Sequence, residues 1–169
     1  DYLDIPTDLV RNVMEPDDTL KPRFKRAGVT LERGIQPSIT FTWFNMEDPV
    51  VGGYTNDKIA LRRAVSMAYN VDEEIRIARQ GQGLVATQIV PPGVSGHDPK
   101  FNAHVKFDPV AARALLDKFG YIEHNGGGFR SRPDGNPLVI HMASQPDQTS
   151  RQYAELWQRA GAVSAVLRP

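Results

Sequence analysis

The feature that most constrains the fold is a helical pattern that starts at Asn56. Apolar residues follow at Leu61, Ala64, Val65 and Ala68. Their spacing of i, i+3, i+4 and i+7 places them on one face of a helix. Asn56 is the predicted N-cap, because its side-chain oxygen can accept a hydrogen bond from the first turn. We therefore expect a helix that buries this face in a core.

Two further helices are recognised by their ends. Asp72 is the predicted N-cap of a second helix, and Gly81 suits the left-handed position just past its C-terminus. Asp108 and Pro109 begin a third helix, since an N-terminal proline lacks only a backbone donor that would be unpaired anyway. The predicted apolar stripe of this third helix comprises Ala112, Leu115, Leu116 and Phe119.

The best strand signal lies at residues 38–45, which are rich in β-branched and aromatic side chains. Alternation along this segment would place Ile39, Phe41 and Trp43 on one face. Residues 138–142 and 162–167 are further predicted strands, with a helix at 150–160 between them and a tight reversal at 125–128 before them. This mixture predicts an α/β (mixed α+β) fold.

Composition excludes several classes of function. The chain has 169 residues, of which 20 are basic and 20 acidic, so it lacks the basic excess that is typical of nucleic-acid-binding proteins. It has no cysteine, which excludes disulfides and thiolate chemistry. No apolar run approaches the roughly 20 residues of a membrane span. The first residues resemble no signal peptide, and the sequence opens as if in mid-domain, so we expect a truncated chain.

No catalytic or metal-binding constellation emerges. The four histidines, at positions 97, 104, 124 and 141, lack metal-ligand spacing. The segment 93–96 approaches a nucleophile elbow but lacks its second glycine, because residue 97 is histidine. Glu73 and Glu74 are adjacent helical residues that do not face one another. We therefore expect neither an enzyme nor a cofactor.

An ordered series of motifs supplies a resemblance. Residues 61–75 resemble the signature helix pair of extracellular solute-binding proteins of family 5, with Asn70 in place of the usual aspartate. Residues 81–93 and 107–121 follow the family's order, and residues 41–45 are similar to its strand that ends in asparagine. The resemblance covers roughly residues 38–160. Within the family, residues 50–54 and 69–74 look like a bicyclomycin-resistance-like branch.

This resemblance implies a fold and a function. The fold would be part of a two-lobe, type II-like periplasmic binding protein, with residues 1–45 ending the first lobe and supplying the crossover strand. Residues 46–169 would form the first half of the second large lobe. The function implied is the substrate-binding component of an ABC importer, which captures peptides or peptide-like solutes in the periplasm and delivers them to a permease.

Three residues are the candidate ligand contacts implied by this reading. Trp43 would supply apolar area and a polar N–H, and Asn45 would bond the ligand backbone through its amide. The alternatives are a core position for Trp43 and a turn-capping role for Asn45. Gln88, in the segment before Pro91 and Pro92, is the third candidate.

Two other classes of function remain open from the sequence. A non-transport sensor or chaperone-like binding module is the main alternative, and a hydrolase or other enzyme is a third class, which the missing catalytic constellation disfavours. A chain that carries only part of a lobe can also expose apolar surface, through which we expect it to be able to dimerise.

Overall fold

The computed structural model describes residues 2–123, 129–146, 148–164 and 166–168. The chain forms two compact units by its internal contacts. The first unit comprises Asp1–Thr40 and Ile75–Ala103, and the second comprises Phe41–Glu74 and His104–Pro169. Helices and short strands are both present, in agreement with the predicted class. The tight reversal predicted at 125–128 lies outside the described residues.

Short helices and turns make up the first 40 residues. A 3-10 turn at Thr7–Leu9 leads into α1 (Val10–Val13), and α2 spans Pro22–Arg26. The small core of this unit includes the buried side chains of Val10, Met14, Leu20 and Ala78. A hydrogen bond of 2.8 Å from the Arg11 guanidinium to the main-chain oxygen of Gln80 links the two segments of the unit.

The helix α3 (Asn56–Ala68) forms the centre of the second unit. Its predicted face is buried, and it contacts α5 (Pro109–Lys118) and α6 (Gln148–Ser164). The predicted N-cap was wrong by one residue. Thr55 has the extended backbone of a cap, whereas Asn56 is already helical. The Thr55 side chain makes no capping hydrogen bond to a backbone amide of the helix.

The helix α4 (Val71–Ile77) follows α3 after a two-residue joint. Its cap is Asn70 rather than the predicted Asp72, because Asn70 Oδ1 accepts a hydrogen bond of 3.1 Å from the backbone N–H of Glu73. Asp72 lies in the first turn, where a negative charge favours the helix dipole. Gly81 adopts the predicted left-handed conformation, with a φ of 81°.

The signals at both ends of α5 are confirmed. Asp108 Oδ1 accepts a hydrogen bond of 2.9 Å from the backbone N–H of Ala111, and Pro109 is the first helical residue. Beyond the C-terminus, Gly120 has a φ of 80°. Ala112 and Leu116 are fully buried against the rest of this unit, as the apolar stripe predicted.

In the described part of the second unit, the strands form two short sheets. The strands β1 (Ile122–Glu123) and β2 (Arg130–Ser131) pair antiparallel. The strands β3 (Val139–His141) and β4 (Val166–Arg168) pair in parallel across α6. The strands predicted at 138–142 and 162–167 are thus confirmed in shorter form, because α6 continues to Ser164 and delays the second one.

The strand predicted at residues 38–45 was wrong. This segment is irregular, and its residues are mostly exposed. A strand requires a neighbour that accepts and donates its backbone hydrogen bonds, and no described segment pairs with this one. The β-branched and aromatic composition is therefore present without the partner that would make it a strand.

Candidate functional site

Two aromatic rings project from the irregular segment that opens the second unit. The Trp43 residue is 74% exposed and Phe41 is 56% exposed. Their ring centroids lie 5.7 Å apart at an angle of 51°. Side chains two residues apart share one side of an extended backbone, which explains the contact. The pair offers a solvent-facing apolar surface with one indole N–H donor, and Trp43 is not a core residue.

Asn45 follows this aromatic pair and starts a turn. Its Oδ1 accepts a hydrogen bond of 3.0 Å from the backbone N–H of Glu47. Its main-chain oxygen accepts another, of 3.2 Å, from the N–H of Asp48. The turn-capping role considered from the sequence is therefore present. Only the oxygen of the amide is used in this way, so the Nδ2 donors of Asn45 face no partner among the described residues.

The loop at residues 46–54 is closed by its own hydrogen bonds. Asp48 Oδ1 accepts from the N–H groups of Val50 and Val51, at 2.7 and 2.9 Å. The N–H of Gly53 donates to the main-chain oxygen of Met46 at 3.0 Å. A Cβ at Gly52 would lie 2.3 Å from that same oxygen, so only glycine fits there. The loop thus has a defined shape.

Two cationic side chains of α3 hold this loop from the other side. Lys58 Nζ donates to the main-chain oxygens of Pro49 and Val50, the latter at 2.6 Å. Arg62 donates to the main-chain oxygens of Val51 and Gly53, at 2.6 and 2.8 Å. We call Lys58 and Arg62 the loop clamp. Sequence reasoning missed it, although the i, i+4 spacing of two cations next to a Gly–Gly loop was a usable signal.

The N-terminus of α3 adds a local electrostatic effect beside the loop. The Thr55 side chain hydrogen-bonds the carboxylate of Asp57 and holds the pKa of that group below its ordinary value. Asp57 therefore remains charged in the first turn, where a negative charge stabilises a helix.

Gln88 belongs to the first unit. Its Nε2 donates to the main-chain oxygen of Asp98 at 2.6 Å, and its Oε1 accepts from the Asp98 N–H at 3.2 Å. Nearby, His97 Nδ1 lies 2.8 Å from the main-chain oxygen of Val90. The structure therefore places Trp43 and Asn45 together in one unit, and shows Gln88 closing a loop in the other.

Other chemistry finds little support in the described part of the chain. No group of three histidine or acidic side chains is arranged to hold a metal ion there. None of the helices described combines the length and apolar character that a membrane crossing requires. An open depression of about 170 Å³ lies between α3 and α5, and its lining includes Ile59, Leu115 and Phe119.

Comparison with known proteins shows which family the chain matches. The model of the bacterial extracellular solute-binding proteins, family 5 middle region, matches residues 8–161. A probable ABC transporter-binding protein of Deinococcus radiodurans is 30% identical over 125 residues, which make up 72% of this chain and 21% of that protein. The chain thus spans about a fifth of the length of this curated relative.

Solved structures show the same fold over part of the chain. A periplasmic oligopeptide-binding protein of Thermotoga maritima is 25% identical, with a TM-score of 0.57 over 71% of this chain and 24% of that one. NikA of Brucella suis, in complex with Fe(III)-EDTA, is 28% identical, with a TM-score of 0.54 over 65% of this chain and 22% of that one. The fold is therefore of the type II-like periplasmic binding protein class. None of these comparisons bears on the bicyclomycin-resistance-like branch, which stays a prediction.

Proposed function

The chain belongs to the bacterial extracellular solute-binding proteins of family 5, and from that premise we propose that it is part of the substrate-binding component of an ABC importer. In this proposal the full-length protein captures peptides or peptide-like solutes in the periplasm and presents them to a permease. The observation that carries the proposal is the family match over residues 8–161, which includes every candidate ligand contact. Members of this family are periplasmic or extracellular solute-binding proteins rather than enzymes.

The chemistry of the Trp43 region fits a peptide-like ligand. The exposed rings of Trp43 and Phe41 can cover apolar side chains or the flat faces of peptide groups. The Nδ2 donors of Asn45 can bond a ligand carbonyl while Oδ1 stays in its turn. Contacts of this kind recognise a peptide backbone with little regard to its sequence.

Gln88 is the third proposed ligand contact. Both ends of its amide already bond the Asp98 main chain, so a ligand would have to replace one of these bonds or use the loop that Gln88 closes. The same proposal assigns residues 1–45 to the end of the first lobe and the crossover, and residues 46–169 to the second. The two compact units divide the chain elsewhere, after Thr40, Glu74 and Ala103. A solved structure of the whole protein, with its lobes visible, tests that assignment.

Titration calorimetry of the full-length protein with short peptides of varied sequence tests the function. We expect saturable binding to several of them. Replacing Trp43 by alanine should weaken binding about tenfold, the effect of losing an aromatic anchor that the bound ligand covers. Phe129→Ala is the matched control, because it removes an aromatic side chain that is also exposed in the same unit. Absence of binding to every peptide contradicts the peptide assignment.

The relative from Brucella suis favours a second class of solute. That protein was solved with Fe(III)-EDTA, and its identity to this chain, 28%, is similar to that of the oligopeptide-binding relative. Titration with Fe(III)-EDTA in parallel with the peptides separates the two classes. Saturable binding of the chelate alone, with Trp43→Ala weakening it, would replace peptides by metal chelates as the cargo.

A further inference from the structure

We propose that Lys58 and Arg62, the loop clamp, are positioning residues that set the orientation of Trp43 and Asn45 for the ligand. This inference rests on the proposed function, because it concerns the same candidate site. Neither residue is a ligand contact in this proposal. They act through the loop at residues 46–54, whose shape they fix from the rigid helix α3.

The two side chains of the loop clamp bond main-chain oxygens that lie close together in the sequence. Four main-chain oxygens within five consecutive residues, 49–53, receive hydrogen bonds from the two cations. Lys58 and Arg62 are four residues apart on α3, so their side chains emerge from the same face of the helix on successive turns. Hydrogen bonds from a charged donor are shorter and stronger than neutral ones. The clamp therefore opposes rearrangement of these peptide groups.

The helix that carries the clamp is itself held firmly. Its apolar face, which adjoins the face that carries Lys58 and Arg62, is buried, with Leu61 and Ala64 fully excluded from solvent. It packs on α5 and α6. The packed helix fixes the backbone positions of Lys58 and Arg62. The loop oxygens that they bond are therefore restrained relative to the core of the unit.

Asn45 connects the clamped loop to the exposed rings. The turn is formed by the bonds of Asn45 to Glu47 and Asp48, and it is closed by the Gly53–Met46 hydrogen bond. The segment before Asn45 has no strand pairing in the described residues. Within this unit, the loop is thus the ordered element to which Trp43 is attached. A change in the loop must change the direction in which Trp43 and Asn45 leave it.

Sequence position supplies a matched control. Arg63 is adjacent to Arg62, carries the same charge and is exposed, yet it contributes nothing to the clamp. Arg62→Gln and Arg63→Gln therefore change the net charge equally, while only the first removes bonds to the loop. Lys58→Met removes the other cation and keeps the length of the side chain. Arg62→Lys keeps the charge and tests rescue.

The experiment uses the full-length protein labelled with 5-fluorotryptophan. The ¹⁹F resonance of Trp43 is assigned by its loss in Trp43→Phe, and ligand affinity is measured by calorimetry on the same samples. We expect Arg62→Gln and Lys58→Met to shift or broaden the Trp43 resonance. Arg62→Gln should also weaken the affinity about tenfold through lost preorganisation. Arg62→Lys should recover part of both effects, and Arg63→Gln should leave both as in the wild type.

Several results would overturn the inference. One is an unchanged Trp43 resonance in folded Arg62→Gln and Lys58→Met proteins. Others are an unchanged affinity despite a shifted resonance, or an Arg63→Gln effect as large as that of Arg62→Gln. If Arg62→Gln does not fold, Lys58→Met decides the question. If the wild type binds no solute, the proposed function fails, and the Trp43 resonance alone decides whether the clamp orients this side chain.

Discussion

Gln88 shows how a single side chain can take the place of a strand partner. Its amide donates to and accepts from the main chain of Asp98, as neighbouring strand residues do with each other. The loop between these two residues is thereby closed without a sheet. A glutamine used in this way first stabilises the loop, and its part in ligand binding stays a prediction.

Tyr121 is the residue at which pH should act most clearly on stability. The side chain is fully buried, and burial raises its pKa to about 12. Its hydroxyl donates a hydrogen bond of 3.3 Å to the main-chain oxygen of Asp57. An unfolded tyrosine has a pKa of about 10. The contribution of Tyr121 is thus complete below pH 10 and is lost as the pH rises towards 12.

Replacement of Tyr121 by phenylalanine tests this effect. At neutral pH we expect the free energy of unfolding to fall by about 1 kcal/mol, the value of one hydrogen bond. Between pH 10 and 12 the wild type should lose about 2 kcal/mol by linkage, more than this advantage, so its stability should fall below that of Tyr121→Phe. Urea denaturation across the pH range measures both. Tyr54→Phe, at a side chain that is 80% exposed, is the control. A constant difference between Tyr121→Phe and the wild type would contradict the prediction.

The candidate site was predictable in its residue types but not in its contacts. Trp43 and Asn45 follow from the resemblance at residues 41–45, and the capping role of Asn45 was already an alternative. Lys58 and Arg62 were missed because charged residues on the polar face of a helix usually face solvent. Their acceptors lie 8 to 11 residues earlier in the chain, and only the folded loop brings them within reach.

At the scale of elements, helices with strong local signals were predicted best. The cap, proline and glycine of α5 all act within a few residues of the helix, so the sequence contains the whole cause. The caps of α3 and α4 were misassigned for an equally local reason. Several side chains near the N-terminus of each helix could act as its N-cap. The residue that does so is the one whose backbone is still extended.

The cap of α5 should have a measurable value. Asp108→Ala removes the acceptor for the Ala111 N–H and should lower the free energy of unfolding by about 1 kcal/mol. Asp108→Asn keeps a capping oxygen and should lose much less. Thermal denaturation of the three proteins measures the difference. An equal loss in both variants would mean that the charge of Asp108, rather than the hydrogen bond, stabilises the helix.

At the scale of the whole molecule, apolar side chains remain exposed. In the first unit, Leu84 and Ile89 are 68% and 70% exposed. Exposed apolar patches favour association, so we predict that this 169-residue chain dimerises at high concentration. Light scattering after size exclusion, over a range of concentrations, measures its mass. A Leu84→Asp, Ile89→Asp double variant should shift the chain towards monomer. A monomeric mass for the unmodified chain at every concentration would contradict the prediction.

The conformation of residues 38–45 also depends on a pairing partner. Their composition favours a strand, yet none of the residues that the structure describes pairs with them. Because the chain spans about a fifth of its curated relative, the partner strand is expected elsewhere in the full-length protein. We predict that alternate amides of residues 39–42 are protected from hydrogen exchange there and not in the 169-residue chain, while Trp43 remains positioned by the clamped loop.

Hydrogen exchange followed by mass spectrometry compares the two proteins directly. All amides of a central strand are hydrogen-bonded to neighbouring strands, whereas only every second amide of an edge strand is. Slow exchange in the full-length protein alone would show that this segment forms the predicted strand once a partner strand is present. Equally fast exchange in both would mean that the exposed, irregular form is the functional one. Trp43 and Asn45 would then meet their ligand from a segment held only by its clamped loop.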